Sequence, residues 1–172
     1  MTRIATIVTM VSIVLATSPV TAFPQSAIGN GQETLARELK RAWLPLESAM
    51  VVSRSTGTPI SAKYEIDDGA FQVSVYTVKD DTFSEVIVDY NVGTVTKVEQ
   101  IADGGDLAAA RGQREAMARA TRSLEEATAE AVRMNPGSRA VSALPRLSEG
   151  HPIVDVVLIN GTDWRAVIGR LD

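Results

Sequence analysis

"SEVIVDYNVGTVTKVEQI", Ser84 to Ile101, sets an aspartate, an asparagine and a glycine at Asp89, Asn91 and Gly93 between two runs of β-forming residues. Such a trio closes a turn or holds a ligand. Asn91 and Gly93 stand where a hairpin loop built on a type I turn needs them, with Gly93 in the left-handed position. The Asp89 carboxylate, just ahead of the loop, can accept hydrogen bonds from turn amides that have no other partner, a local role Asp fills readily. The stretch therefore reads as strand, turn, strand, with Asp89, Asn91 and Gly93 structural.

Upstream of it the apolar period is two. Ile60, Ala62, Tyr64 and Ile66 point one way and Ser61, Lys63, Glu65 and Asp67 the other, which predicts a half-buried strand. "DDG" at Asp67 to Gly69 and "KDDT" at Lys79 to Thr82 are turns, bracketing a second strand from about Phe71 to Val78 and leading into a third from Phe83 to Tyr90. Val95, Val98 and Ile101 belong to a fourth. This is an antiparallel meander. Ahead of it, Glu33 to Ser55 has helical spacing through Leu35, Leu39, Ala42 and Trp43, interrupted by Pro45. Proline lacks an amide hydrogen but fits a first helical turn, so Pro45 starts a second helix that buries Leu46, Ala49, Met50 and Ser53. "TGTP" ends that helix.

Downstream, "ADGGD" at Ala102 to Asp106 reads as a linker, and Leu107 to Met134 has the Ala, Arg and Glu content of helix. "SLEE" is a capping-box pattern that starts or restarts a helix at Ser123, with Leu124, Ala127, Ala131 and Met134 as its apolar face and "NPG" at Asn135 to Gly137 as its end. Strands follow at about Ala140 to Leu147, Ile153 to Ile159 and Trp164 to Leu171. The two halves then match. "LESA" from Leu46 corresponds to "LEEA" from Leu124, "GAFQVSVYTV" from Gly69 to "GHPIVDVVLI" from Gly150, and Phe83 to Trp164, at an offset of 78 in the helices and 81 in the strands. In the second copy Arg170 stands where Asp89 does, and no fourth strand follows.

The N-terminus is of another kind. Arg3 precedes the uncharged, mostly apolar run Ile4 to Ala16, and small residues stand at Val20 and Ala22. That is the plan of a secretory leader cleaved after Ala22; the run is shorter than the roughly 20 residues a membrane span needs. The expected layout is leader 1–22, flexible segment 23–32, first unit 33–101, linker 102–106 and second unit 107–172. With 17 Lys and Arg against 21 Asp and Glu, and Arg3 lost with the leader, the chain is acidic and carries no basic patch for nucleic acid. It has no cysteine, so neither disulfides nor thiolate chemistry contribute.

The pattern resembles the PepSY domain, a helix-plus-antiparallel-sheet module of exported bacterial proteins and of the propeptides of thermolysin-like metallopeptidases. The residues that carry it are "PLESAMVVSRSTGTPISAKYEI", "DDGAFQVSVYTV" and "EVIVDYNVGTV" in that order, over about Glu33 to Ile101. The second copy departs from it at Arg170 and in lacking the glycine. The resemblance implies an α+β fold of tandem units, each a helix packed on a meander of three to four strands. It also implies binding and restraint of a peptidase rather than catalysis.

Residue chemistry gives no competing enzyme. His151 is a lone histidine, read as an exposed turn residue, and zinc needs several such ligands. Asp67–Asp68 and Asp80–Asp81 lack calcium-loop spacing and read as solvated turns. There is no G-x-S-x-G and no glycine-rich phosphate loop. No cofactor is expected. Trp43 and Trp164 are read as core. The C-terminal strand is the expected interaction site: as an outer strand it offers unpaired backbone groups to a protein partner, with Trp164, Arg165 and Arg170 on it to steer an acidic one or to discourage wrong pairing. The alternative is a carrier of small hydrophobic ligands, which needs an apolar cavity between helix and sheet.

Overall fold

Turn chemistry sets the hairpins. Asp68 and Gly69 (φ 47° and 80°), Asp80 and Asp81 (φ 48° and 63°) and Glu149 and Gly150 (φ 52° and 84°) are two-residue loops in the left-handed region, whose twist matches that of the strands they join. The computed structural model describes residues 30–172. The expected leader 1–22 and most of segment 23–32 lie outside the described residues. The elements are α1 (Asn30–Leu39), α2 (Leu46–Ser53), β1 (Thr58–Asp67), β2 (Ala70–Lys79), β3 (Thr82–Val88), β4 (Val95–Gln100), α3 (Gly104–Ala118), α4 (Leu124–Arg133), β5 (Arg139–Ser148), β6 (His151–Asn160) and β7 (Asp163–Arg170). No described helix is long and apolar enough to cross a membrane.

All seven strands form one antiparallel sheet in the order β4-β3-β2-β1-β5-β6-β7. Two meanders thus run outward from the middle, and their first strands meet with Ala62 opposite Ala143 and Lys63 opposite Ser142. Local features recur on the two sides. Strand β1 shifts register between Pro59 and Ser61, and β5 between Ala140 and Ser142. The amides of Trp43 and Leu44 donate to Tyr90 O at 3.0 and 2.9 Å, and those of Thr121 and Arg122 to Leu171 O at 2.7 and 3.0 Å.

One continuous core lies under α1, α2 and α4. Leu39, Leu46, Met50, Leu124 and Ala127 pack with Tyr64, Val73, Val75 and Val86 of one meander and Val154, Val156 and Leu158 of the other. Helices α2 and α4 also pack against each other. The capping box of α4 is formed, Glu126 N donating to Ser123 Oγ at 3.3 Å and Ser123 N to Glu126 Oε2 at 3.1 Å. Helix α3 meets the opposite face of the sheet. Ile60, Phe83 and Ala110 form a second cluster there, with Leu107 and Ile101 against it.

Five expectations need correction. Asn30 to Gln32, read as flexible, open α1, because Leu35, Ala36 and Leu39 dock the helix on the core. The linker 102–106 shrinks to Ala102 and Asp103, since α3 begins at Gly104 and is held by Leu107 and Ala110. Ser61, read as outward, is buried beneath α3, its hydroxyl donating to Gln113 Oε1 at 2.8 Å. Trp43 is 85% exposed, not core. Its amide and that of Leu44 are spent on Tyr90 O, which holds the link between α1 and α2 off the helical path and turns the indole outward. Met134 is likewise exposed, because α4 ends at Arg133 and Met134 is its C-cap.

A shared core makes a specific prediction. Ala143 is 0% exposed and faces Ala62 at the joint. Ala143→Leu should cost about 1–3 kcal/mol by overpacking. Urea unfolding followed by circular dichroism and by tryptophan fluorescence should give one coincident transition; separate transitions for the two meanders would overturn the single core.

Candidate functional site

The two groups of residues singled out in the sequence lie at opposite flanks of the sheet, at the β3–β4 turn and on β7. In the turn, Asp89 Oδ1 accepts from Asn91 N at 2.7 Å and from Val92 N at 2.9 Å, while Asp89 O accepts from Gly93 N at 2.8 Å. Asp89 N donates to Thr94 O at 2.8 Å. The amides of Val92 and Asn91 hold the Asp89 carboxyl below its ordinary range, since they bond the charged form. Gly93 has φ +74°, and a Cβ there would come 3.2 Å from Leu44 Cδ1. The carboxylate is thus turned onto its own backbone. The loop fixes Tyr90, whose carbonyl pins the link leading into α2.

A residue the sequence reading passed over completes this corner. Arg139, on β5 of the second meander, donates from Nη1 to Leu39 O and Ala42 O at 2.8 Å each and from Nη2 to Leu44 O at 3.1 Å. Its guanidinium lies 5.4 Å from the centre of the Tyr64 ring. Burial pushes the Tyr64 hydroxyl up to about 12 against the opposing charge of Arg139, and that hydroxyl donates to Leu44 O. The Leu39 carbonyl at the end of α1 and the Ala42 and Leu44 carbonyls of the link beyond it are thereby bonded from across the molecule. Nothing in the spacing around Arg139 marks it; a lone arginine opening a strand is ordinary.

Strand β7 pairs with β6 on one side, Val167 opposite Val156 and Gly169 opposite Val154. Among the described residues no strand pairs with its other side. Trp164 is half-buried against the core. Arg165 is exposed and donates to Asn135 Oδ1 at 3.0 Å. Arg170 donates to Asp172 at 2.9 and 3.1 Å, and Asp172 also meets His151 Nδ1 at 3.0 Å. Arg170, and to a lesser degree His151, hold the Asp172 carboxyl low. The charge of Arg170 is therefore largely offset within the chain, whereas Arg165 is bonded to a neutral amide. Between the two arginines the edge is uncharged: Ala166, Val167, Ile168 and Gly169, with Ile168 57% exposed.

Other polar groups are tied to one another. On the α3-covered face Lys63 Nζ lies 2.6 Å from Glu65, which accepts from Ser74 Oγ at 2.7 Å. Burial pushes the nearby Glu85 carboxyl and Tyr76 hydroxyl up. Arg114 of α3 pairs with Asp81 in the β2–β3 turn. A cleft of about 590 Å³ between α2, α4 and the end of β2 is rimmed by Arg54, Lys79, Asp80 and Glu125, with the buried Glu125 paired to Arg54. Its charged rim is not that of a hydrophobic-ligand cavity, and alanines (Ala49, Ala62, Ala127, Ala143) close the layer between helices and sheet. No three His, Asp or Glu side chains converge on a metal-sized point among the described residues.

Asp89 contributes stability through a depressed pKa, so its contribution is complete above the ordinary aspartate value and fades as pH falls through the folded one. Asp89→Asn keeps an acceptor but loses the charge. The Tm gap between wild type and Asp89→Asn should be full at pH 7 and close progressively below pH 3.8; a gap independent of pH would mean that the carboxylate charge is not what holds the loop. Gly93→Ala, forced to positive φ, should cost about 1–2 kcal/mol in urea unfolding at any pH.

No family model, no curated protein and no solved structure matches the chain.

Proposed function

We propose that the chain is an exported, non-enzymatic protein of two tandem PepSY-like units that holds a partner polypeptide, a peptidase of the cell envelope, at the outer edge of β7. One observation carries the reading: the meander that begins the sheet ends in β4, and among the described residues no strand stands at the matching position beside β7. Recurrence of the local features supports the duplication. The register shifts at Pro59/Ser61 and Ala140/Ser142 lie 81 residues apart, as do the left-handed pairs Asp68–Gly69 and Glu149–Gly150. The amide pairs that bond Tyr90 O and Leu171 O lie 78 apart while those two carbonyls lie 81 apart, the same offsets that align the sequences. The facing residues Ala62 and Ala143 also differ by 81, as a two-fold between duplicated units would require.

An unpaired strand is a template for another chain. Strand β4 blunts its own edge with Lys97 and Glu99, whereas β7 carries no charge from Ala166 to Gly169. A restraining protein needs a rigid edge rather than a pocket, and the charged cleft and alanine-filled helix layer disfavour the carrier reading.

The test is site-specific photo-crosslinking in the native envelope. A photoreactive residue at Ala166 or Ile168, both exposed, should give a protein adduct, and the purified chain should lower the proteolytic rate of the enzyme so identified. Adducts from Thr96 of β4 but none from β7, or a captured protein whose proteolysis is unchanged by the purified chain, would sink the reading.

A further inference from the structure

We infer that the segment taken up at this edge is an extended strand, antiparallel to β7, with apolar residues opposite Gly169 and Val167 and an acidic residue opposite Arg165. The inference rests on the reading of β7 as the docking edge. Its template is within the fold. Strand β4 runs antiparallel to β3, with Val95 opposite Val88, Lys97 opposite Ile87, Val98 opposite Val86, Glu99 opposite Glu85 and Gln100 opposite Ser84, the register shifting at Thr96. At the offset of 81 these β3 positions become Gly169, Ile168, Val167, Ala166 and Arg165.

Each guest position then has a defined environment. Residues opposite Gly169 and Val167 lie on the face covered by the helices, because those two pair with the buried Val154 and Val156 and Val167 packs on the core. They should be apolar, as Val95 and Val98 are in β4. Gly169 offers no side chain, since a Cβ there would come 3.0 Å from Val154 Cγ1, so the guest residue facing it has room to be large. The residue opposite Ile168 lies on the other face and needs an apolar body, for which a long stem like that of Lys97 suffices. Opposite Arg165, the exposed cation that ends the uncharged stretch, an acid is the complementary choice.

The same reasoning excludes a second copy of β7 as occupant. A two-fold pairing of β7 with itself must keep like faces together. In the two such registers with the longest overlap, Arg165 faces Val167 or Gly169 of the copy; of the next two, one sets Arg165 against itself and the other leaves it outside the overlap. No such register with extended overlap gives Arg165 an acid.

The probes are two synthetic nonapeptides, GTVTKVEQI, which is Gly93 to Ile101, and GTVTKVEEI, which sets a glutamate opposite Arg165. Trp43→Phe leaves Trp164, beside the edge, as the only tryptophan, and Trp43 is exposed enough to be replaced without loss of core. Both peptides should shift Trp164 emission saturably, the glutamate peptide about two- to fivefold more tightly, the range expected for one cross-strand ion pair. Arg165→Glu should invert that order. N-methylation of the peptide at alternate amides should abolish binding. Absence of saturable binding at millimolar peptide, an order unaffected by Arg165→Glu, or a concentration-dependent dimer joined through β7 would overturn the inference. Failure here is separable from failure of the docking reading: a protein adduct at Ala166 with silent peptides removes only the strand chemistry, whereas peptide binding without any adduct in the envelope upholds the strand chemistry and removes the physiological partner.

Discussion

The molecule depends on a short seam. Strands β1 and β5 are paired through Ala62–Ala143 and Lys63–Ser142, while the hairpin ladders on either side run nearly the full length of their strands. Two residue pairs of β ladder would not by themselves hold two meanders at a fixed angle. The helices do it. Because both residues on the helix-covered side of the seam are alanines, α2 and α4 descend close to the sheet and meet each other over it, and Leu46, Met50 and Leu124 are fully buried between them. Larger side chains at 62 and 143 would lift the helices and open the core that both meanders share.

Polar contacts reinforce the same joint from its two ends. Arg54 at the end of α2 pairs with Glu125 at the start of α4, and Arg139 of β5 satisfies three carbonyls at the end of α1 and in the link beyond it. The Arg54–Glu125 pair contributes little to net stability, given the desolvation cost of a buried carboxylate, and Arg139 bonds neutral carbonyls. What they contribute is orientation: a helix next to one meander is tied to an element of the other half of the chain, so the packing of the two meanders is registered as well as driven by burial. The pair at Arg54 also consumes the one carboxylate, Glu125, that would otherwise face the neighbouring cleft as an unpaired buried charge.

How much of this was legible in the sequence follows from the range of the interactions involved. The three tight turns, the restart at Pro45 and the capping box at Ser123 depend on residues within four positions of one another, and their strands and helices stand where the local pattern puts them. Contacts at long range were not legible. Ser61 follows a clean alternation that marks it as outward, yet α3 returns from the far side of β4 to cover it, and nothing near Ser61 announces that helix. Trp43 continues a helical period that the carbonyl of Tyr90, almost fifty residues on, interrupts. At the candidate site the strand itself and the residues on it were readable. The pairing of Arg170 with Asp172 was not, and it shifts the weight of any electrostatic steering onto Arg165.

An edge that admits one strand must also refuse others, since every backbone offers the same donors and acceptors. Selection therefore has to come from register. A slip by one residue moves every guest side chain to the opposite face, which would set polar positions beneath α4 and apolar ones in water. On β7 the uncharged run is four residues long and bounded by Arg165 and by the Arg170–Asp172–His151 cluster. An apolar strand longer than that run meets the guanidinium of Arg165 at one end and the charged cluster at the other, and loses by desolvation what it gains in ladder. A strand of matching length whose acid reaches Arg165 gains at both. On the proposed docking at β7, the same two charged ends would discourage indiscriminate pairing and set the length and polarity of the strand taken up.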